Sequence, residues 1–183
     1  MRIRTLAGVA SVGTLVWALV VRGSFSVDLG IGRRFRPLGP ITVGIAAPRD
    51  VVFDVISEPY LGRTPRALST KLEVLERGAD IVLAAHYTRA YGLTATTVES
   101  VRFERPERVH FRLVRGPVPH VVETFALVEA GRETDLEYAG ELGADLWLLG
   151  RLWGAAVART WEATVAAALE DIRSEAERRA ARA

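Results

Sequence analysis

Cysteine is absent from this 183-residue chain, which excludes a disulfide framework, a thiol nucleophile and any cysteine-based zinc or iron–sulfur site. Histidine is scarce. His86, His110 and His120 are the whole supply, and neither their spacing nor any clustering of carboxylates suggests a metal. Lysine is nearly missing too, with Lys71 alone, so arginine carries almost all the positive charge. Glycine and proline, at 16 and 8 residues, are too few for a fibrous chain. What remains is 49% hydrophobic and 25% charged, too apolar for disorder and typical of a globular domain. The length suits one domain that buries its own core and is cramped for two.

The net charge of +2 is unevenly distributed. Residues 1–36 carry six arginines against Asp28, a local net of +5, and the remainder is mildly acidic at −3. An acidic body cannot coat a phosphate backbone, so nucleic acid is excluded as a partner. The basic excess instead flanks an apolar run, Thr5 to Val21 (TLAGVASVGTLVWALVV), bounded by Arg4 and Arg22. As a helix this run spans about 26 Å, slightly short of the ~30 Å hydrocarbon core. A cleaved signal peptide needs small residues after the apolar run, but here bulky Val20 and Val21 lead into an arginine. Residues 1–22 therefore read as a retained single-pass anchor, with membrane contact through 5–21 and Trp17 near an interface. A signal peptide or a soluble leader are the alternatives. By a thin margin the arginines favour a cytoplasmic body. Residues 23–40 read as a basic linker.

In the body, ITVGIA (41–46) is a short β-branched strand closed by Ala47-Pro48. Pro48 suits the first position of a helix, Asp50 its first turn, and Val51, Val52, Val55 and Ile56 recur at helical spacing. Pro59 ends this helix after barely three turns. From Leu68 to Leu142 the period changes from 3.6 to 2, and the stretch reads as about six strands of an antiparallel meander, with turn signals at 77–80, 105–106, 116–119 and 131–132. A long amphipathic helix follows. Its apolar stripe runs from Leu149 through Trp153, Val157, Trp161 and Val165 to Ile172, with Asp145 as N-cap and 176–183 as a frayed tail.

The segment ITVGIAAPRDVVFDVIS, an apolar strand running into Ala-Pro and a Val-Phe pair, resembles the first strand and helix of the START-like superfamily labelled SRPBCC. ETFALVEAGRETDLEYAGEL resembles its last hairpin. That superfamily holds polyketide cyclase/dehydrase and lipid-transport members, and the likeness covers roughly residues 38–175. It implies an α+β helix-grip fold: a curved antiparallel sheet of about seven strands around a long C-terminal helix, with an SRPBCC/START-like domain over 41–175. The superfamily has no shared catalytic signature to carry across.

A curved sheet cannot press flat on a straight helix, so the fold implies a cavity between them, and apolar cavities with a few polar groups are the usual small-molecule sites. Alternation assigns Tyr87, Phe111, Phe125 and Tyr138 to it from the sheet, and helical spacing assigns Trp153, Val157 and Trp161, with Tyr60 at the entrance. Simple core filling is the competing account of these aromatics. Gly150 and Gly154 admit either a strand or a ligand. Glu123 shares the face of Val121, Phe125 and Leu127, where a buried carboxylate acts as acid, base or ligand anchor. A register shift at 116–119 instead turns it to solvent. His110 and His120 fall on the outer face, and His86 is ambiguous. The Gly30-x-Gly32 pair lacks the flanking strand and helix of a phosphate loop.

Three functions compete. The favoured one is a membrane-tethered, non-catalytic binder or carrier of a hydrophobic small molecule or lipid, with no cofactor. The second is a polyketide cyclase/dehydrase-like enzyme using Glu123 with Tyr87 or Tyr138. The third is a protein-interaction module, which an exposed contiguous apolar patch supports.

Overall fold

The computed structural model describes residues 18–20, 22–23, 26–62, 64, 68–90 and 92–182. The expected anchor at 5–21 lies outside these, apart from three helical residues at 18–20. Among the described residues no helix is long and apolar enough to cross a membrane.

Seven strands form one antiparallel sheet: β1 (Arg34–Ile45), β2 (Leu72–Arg77), β3 (Ile81–Ala90), β4 (Leu93–Glu104), β5 (Arg108–Arg115), β6 (His120–Ala130) and β7 (Glu133–Ala144). Their order is β1-β7-β6-β5-β4-β3-β2, so the meander β2–β7 is extended by β1 at one edge. Two helices cover one face, α1 (Arg49–Leu61) between β1 and β2 and α2 (Trp147–Ala180) after β7. The expected α+β helix-grip fold is therefore present. Register shifts at Leu38/Ile41, Val74/Glu76 and Val98/Glu99 mark irregularities of the kind that bend a sheet. Pro37 and Pro40 lie on β1, where an edge strand tolerates a missing N–H.

Period-2 alternation fixes the concave face. In β6, Val121, Glu123, Phe125 and Leu127 are buried while the residues between them are partly exposed. In β5 the buried positions are Val109, Phe111 and Leu113. The largest fully buried side chains include Tyr138, Phe53, Leu38, Ile45 and Leu136.

Four boundaries differ from the sequence reading. β1 begins at Arg34 and pairs with β7 as far as Ala144, so much of the expected linker is strand. α1 runs through Pro59 to Leu61, because a proline in the last turn removes only one bond of a helix whose inner face is already packed. α2 continues to Ala180 rather than fraying. Ala176 is fully buried, and Arg179 pairs with Glu58 of α1 and with Glu175.

The fourth concerns Asp145, which caps nothing. Leu146 occupies the N-cap position in the left-handed region (φ 74°), with no side-chain cap. Asp145 instead accepts bonds from Leu29 N (2.7 Å) and Gly30 N (2.8 Å) on Oδ2 and from Arg33 Nε (2.7 Å) on Oδ1. Leu146 N and Trp147 N in turn donate to Ile31 O and Gly32 O. The segment before β1 is thereby locked to the start of α2.

The Arg33 bond, joined by the two backbone donors, holds the Asp145 carboxyl at about 2. An unfolded aspartate titrates near about 3.9, so this stabilisation is complete above that value and lost as pH falls towards 2. Asp145→Ala is expected to lower the unfolding free energy by roughly 1.5–3 kcal/mol at pH 7 and to flatten its acid dependence, as read by urea denaturation.

Candidate functional site

Between the concave face and α2 lies a cavity of about 640 Å³. α1 contributes Val55, Ile56 and Tyr60; the strands contribute Leu72, His86, Glu99, Phe111, Glu123 and Phe125; α2 contributes Trp153, Val157, Trp161 and Val165. Lys71, Asp171 and Arg178 border it. Gly150 and Gly154 do not open onto it. A Cβ at Gly150 would lie 1.8 Å from Asp145 O, and one at Gly154 3.2 Å from the Ala144 Cβ, so these glycines let β7 approach the helix.

The aromatic lining is continuous. Tyr60 meets Phe111 at 6.0 Å between ring centroids, Phe111 meets Phe125 at 5.2 Å, and Phe125 meets Tyr138 edge-on at 5.6 Å. Trp153 turns its ring to the cavity and donates Nε1–H to Pro117 O at 2.8 Å, anchoring the β5–β6 turn.

Two buried carboxylates stand on this face in contrasting surroundings. Glu123 Oε1 accepts from the Tyr138 hydroxyl (2.6 Å) and from Trp161 Nε1–H (2.8 Å), and Oε2 has no protein donor among the described residues. Burial, reinforced by the nearby charge of Glu99, pushes Glu123 up to about 7 despite those two donors. Glu99 lies beside a potential cation. His86 Nδ1 is 3.3 Å from Glu99 Oε2, an ion-pair distance without hydrogen-bond alignment, and Thr97 donates to Oε1 at 2.7 Å. Burial opposes both charges of this pair, yet their mutual attraction prevails: Glu99 falls below the usual carboxylate range and His86 rises. On its other side His86 Nε2 is 3.0 Å from the Tyr60 hydroxyl. Tyr60, His86 and Glu99 thus form a line of polar groups along the cavity wall. Burial raises Tyr60 well above the ordinary phenol value, so it stays protonated.

Of the residues singled out in the sequence, Tyr60, Phe111, Glu123, Phe125, Trp153, Val157 and Trp161 line the cavity together. Tyr138 does not. It is fully buried behind Glu123 and serves as that carboxylate's donor. Tyr87 borders the cavity, but its hydroxyl donates to Glu73 at 2.6 Å, because neighbouring residues on a strand face opposite ways and His86 takes the inner position. His110 and His120 pair on the outer side with Thr124 and Glu141. The sequence reading missed Glu99 and left His86 open. Both follow from register: Val101 pairs with inward Phe111, which places Glu99 on the same face, and His86 pairs with Thr97 beside it. Among the described residues no three His, Asp or Glu side chains gather as a metal site.

The description "Polyketide cyclase / dehydrase and lipid transport" matches residues 41–177. The chain belongs to that family. Among solved structures it is similar to an aromatase/cyclase from Streptomyces sp. R1128, with a TM-score of 0.63 and 18% identity over 80% of this chain and 95% of that one. A protein of Thermus thermophilus gives a TM-score of 0.61 and 16% identity over 78% and 97%. A START superfamily protein of Mycobacterium smegmatis gives 0.51 and 15% over 81% and 97%. At these identities the likeness is one of fold. No curated protein matches the chain.

Because the folded Glu123 titrates near about 7 and an unfolded glutamate near about 4.3, the protein is expected to lose stability as pH rises between those values. Glu123→Gln keeps an acceptor for Tyr138 and Trp161 but carries no charge. Its urea midpoint, relative to wild type, is expected to rise from pH 5 to pH 8.

Proposed function

We propose that the protein binds or carries a hydrophobic small molecule or lipid in the space between sheet and α2, tethered to a membrane through residues 5–21. One observation carries the binding half. The hollow is lined by aromatic and aliphatic side chains, falls within the ~300–1,000 Å³ range of ligand pockets, and presents a carboxylate oxygen, Glu123 Oε2, without a protein donor among the described residues. A protonated Glu123 donates to a ligand carbonyl or hydroxyl oxygen, and an ionised one accepts from a ligand hydroxyl. The tether rests on the sequence alone: an uncharged run of seventeen residues between arginines.

A second reading has its own observation. The Tyr60–His86–Glu99 line borders the same cavity as Glu123, so proton donors and acceptors of different strength border one apolar space. That supports proton transfer on an oxygenated, polyketide-like substrate, in keeping with a family described as polyketide cyclase / dehydrase. The carboxylate–tyrosine pairing expected from the sequence is not the basis of this reading, since Tyr138 is buried away from the cavity and Tyr87 is bonded to Glu73.

Native mass spectrometry of the full chain is expected to show a retained apolar ligand, and the fluorescent probe N-phenyl-1-naphthylamine is expected to bind in its place. Val157→Trp fills the hollow from α2. It is expected to weaken probe binding at least about tenfold, while overpacking costs roughly 1–3 kcal/mol of stability. A wild-type chain that neither retains a ligand nor takes up the probe would overturn the proposal.

A further inference from the structure

α2 begins with an apolar surface that the sheet does not cover. Trp147, Leu148, Leu149 and Leu152 are between 56% and 70% exposed, and Phe35 on neighbouring β1 is 56% exposed. Leu149 was expected to begin the inward stripe, and Leu152 lies one turn on. They face outward because Gly150 and Gly154 take the close contact with β7 at this end. The outward set is held in place. Leu146 and Trp147 both have positive φ (74° and 46°), their N–H groups are fixed to Ile31 O and Gly32 O, and the Trp147 ring lies over Gly32. A backbone strained in this way at two residues, with leucines and a tryptophan turned to water, marks an interaction surface.

Its charge narrows the occupant. A groove between β1 and the first turns of α2 is lined by Arg34, Arg36 and Arg151 together with Phe35, Trp147 and Leu148. Among the described residues none of these three arginines forms an ion pair, and the Arg36 Nε is buried without a partner. Unmatched guanidinium groups beside an exposed Trp/Leu/Phe surface complement a bilayer interface, where apolar side chains enter the acyl boundary and arginines meet lipid phosphates. The chain's own course agrees. Gly23 sits against Thr96, and Ser26 bonds to Gly116, so the described residues that follow the apolar run 5–21 lie at this same end of the sheet.

We propose that the start of α2 and the start of β1 form a docking face for an anionic lipid bilayer, with the groove between them receiving a phosphate headgroup. This holds whether or not the cavity carries a ligand, because it uses none of the cavity's residues. It orients the body with the β2–β3 turn pointing away from the membrane.

The absence of cysteine allows a clean test. Leu149→Cys and, at the far end, Asp80→Cys each carry one environment-sensitive fluorophore on the full chain. Each is mixed with vesicles of phosphatidylcholine alone or with a quarter phosphatidylglycerol, with and without a lipid-borne quencher. The label at 149 is expected to become shielded and quenched on the anionic vesicles, and the label at 80 to stay in water. Arg34→Ala with Arg151→Ala is expected to lower the docking constant about twenty-five-fold, roughly fivefold per arginine. A chain that binds vesicles while the 149 label stays wet overturns the docking face and leaves the tether intact. Equal shielding on neutral and anionic vesicles overturns the role of the arginines. Shielding that grows with protein concentration without lipid assigns the face to a second copy of the chain, and failure to associate with either vesicle overturns tether and docking face together.

Discussion

Everything at the centre of this molecule follows from a geometric mismatch between a straight rod and a twisting surface. α2 has 34 residues, about 51 Å of helix at 1.5 Å per residue. Each strand of the sheet turns roughly 20–25° from its neighbour, so the rod cannot follow the sheet along its length. Contact is made on one side of the rod, where Ala158 and Leu169 are fully buried and Glu162 accepts from Gly39 N. Near its start, Gly150 and Gly154 let the helix backbone close on Ala144 and Leu142; near its end, Arg179 reaches Glu58, and Glu177 accepts from Ala46 N. Between those points Trp153, Val157, Trp161 and Val165 bridge towards the sheet without filling the gap. Glycine costs a helix about 1 kcal/mol relative to alanine, so the close approach at one end is won against local propensity.

The two carboxylates on the concave face show how neighbours, not burial alone, decide ionisation. Both are under a tenth exposed. Glu99 stands beside an imidazole that can become a cation and accepts from a threonine hydroxyl, and its charge is retained. Glu123 receives only neutral donors, from a phenol and an indole, while the retained charge of Glu99 acts against it. One anion makes the other harder to form. Environments that push similar groups apart in this way distinguish acids from bases in apolar sites. Here they leave one proton near neutrality on a carboxyl group with one oxygen turned from every described protein donor.

Much of the architecture was legible because it rests on periodicity. The alternation of Val121, Glu123, Phe125 and Leu127 survived the turn at 116–119, so the inward placement of Glu123 could be read from the strand itself. The helical stripe of Trp153, Val157 and Trp161 was equally plain. What escaped notice depended on pairing between strands. Glu99 is one polar residue in a Thr- and Val-rich strand, and only its register against Phe111 and His86 reveals it as buried. Tyr87 misled because its strand is apolar on both faces, and a single residue of register decides between Tyr87 and His86. Asp145 looked like a cap because caps are read from local sequence, whereas its partners lie more than a hundred residues away.

Those distant partners bear on what the folded unit is. The family's match begins at residue 41, yet Asp145, well inside it, is satisfied by Leu29, Gly30 and Arg33, all outside it. Remove them and a nearly buried carboxylate loses its cation and two backbone donors together, a far worse state than an apolar residue at the same place. The start of α2 also loses the carbonyls of Ile31 and Gly32, which hold two residues of positive φ. The same contacts set how the helix leaves β7, and so where Trp153 and Val157 stand over the cavity. The extension before β1 is in this sense part of the folded domain: it fixes the angle of the rod whose mismatch with the sheet makes the hollow.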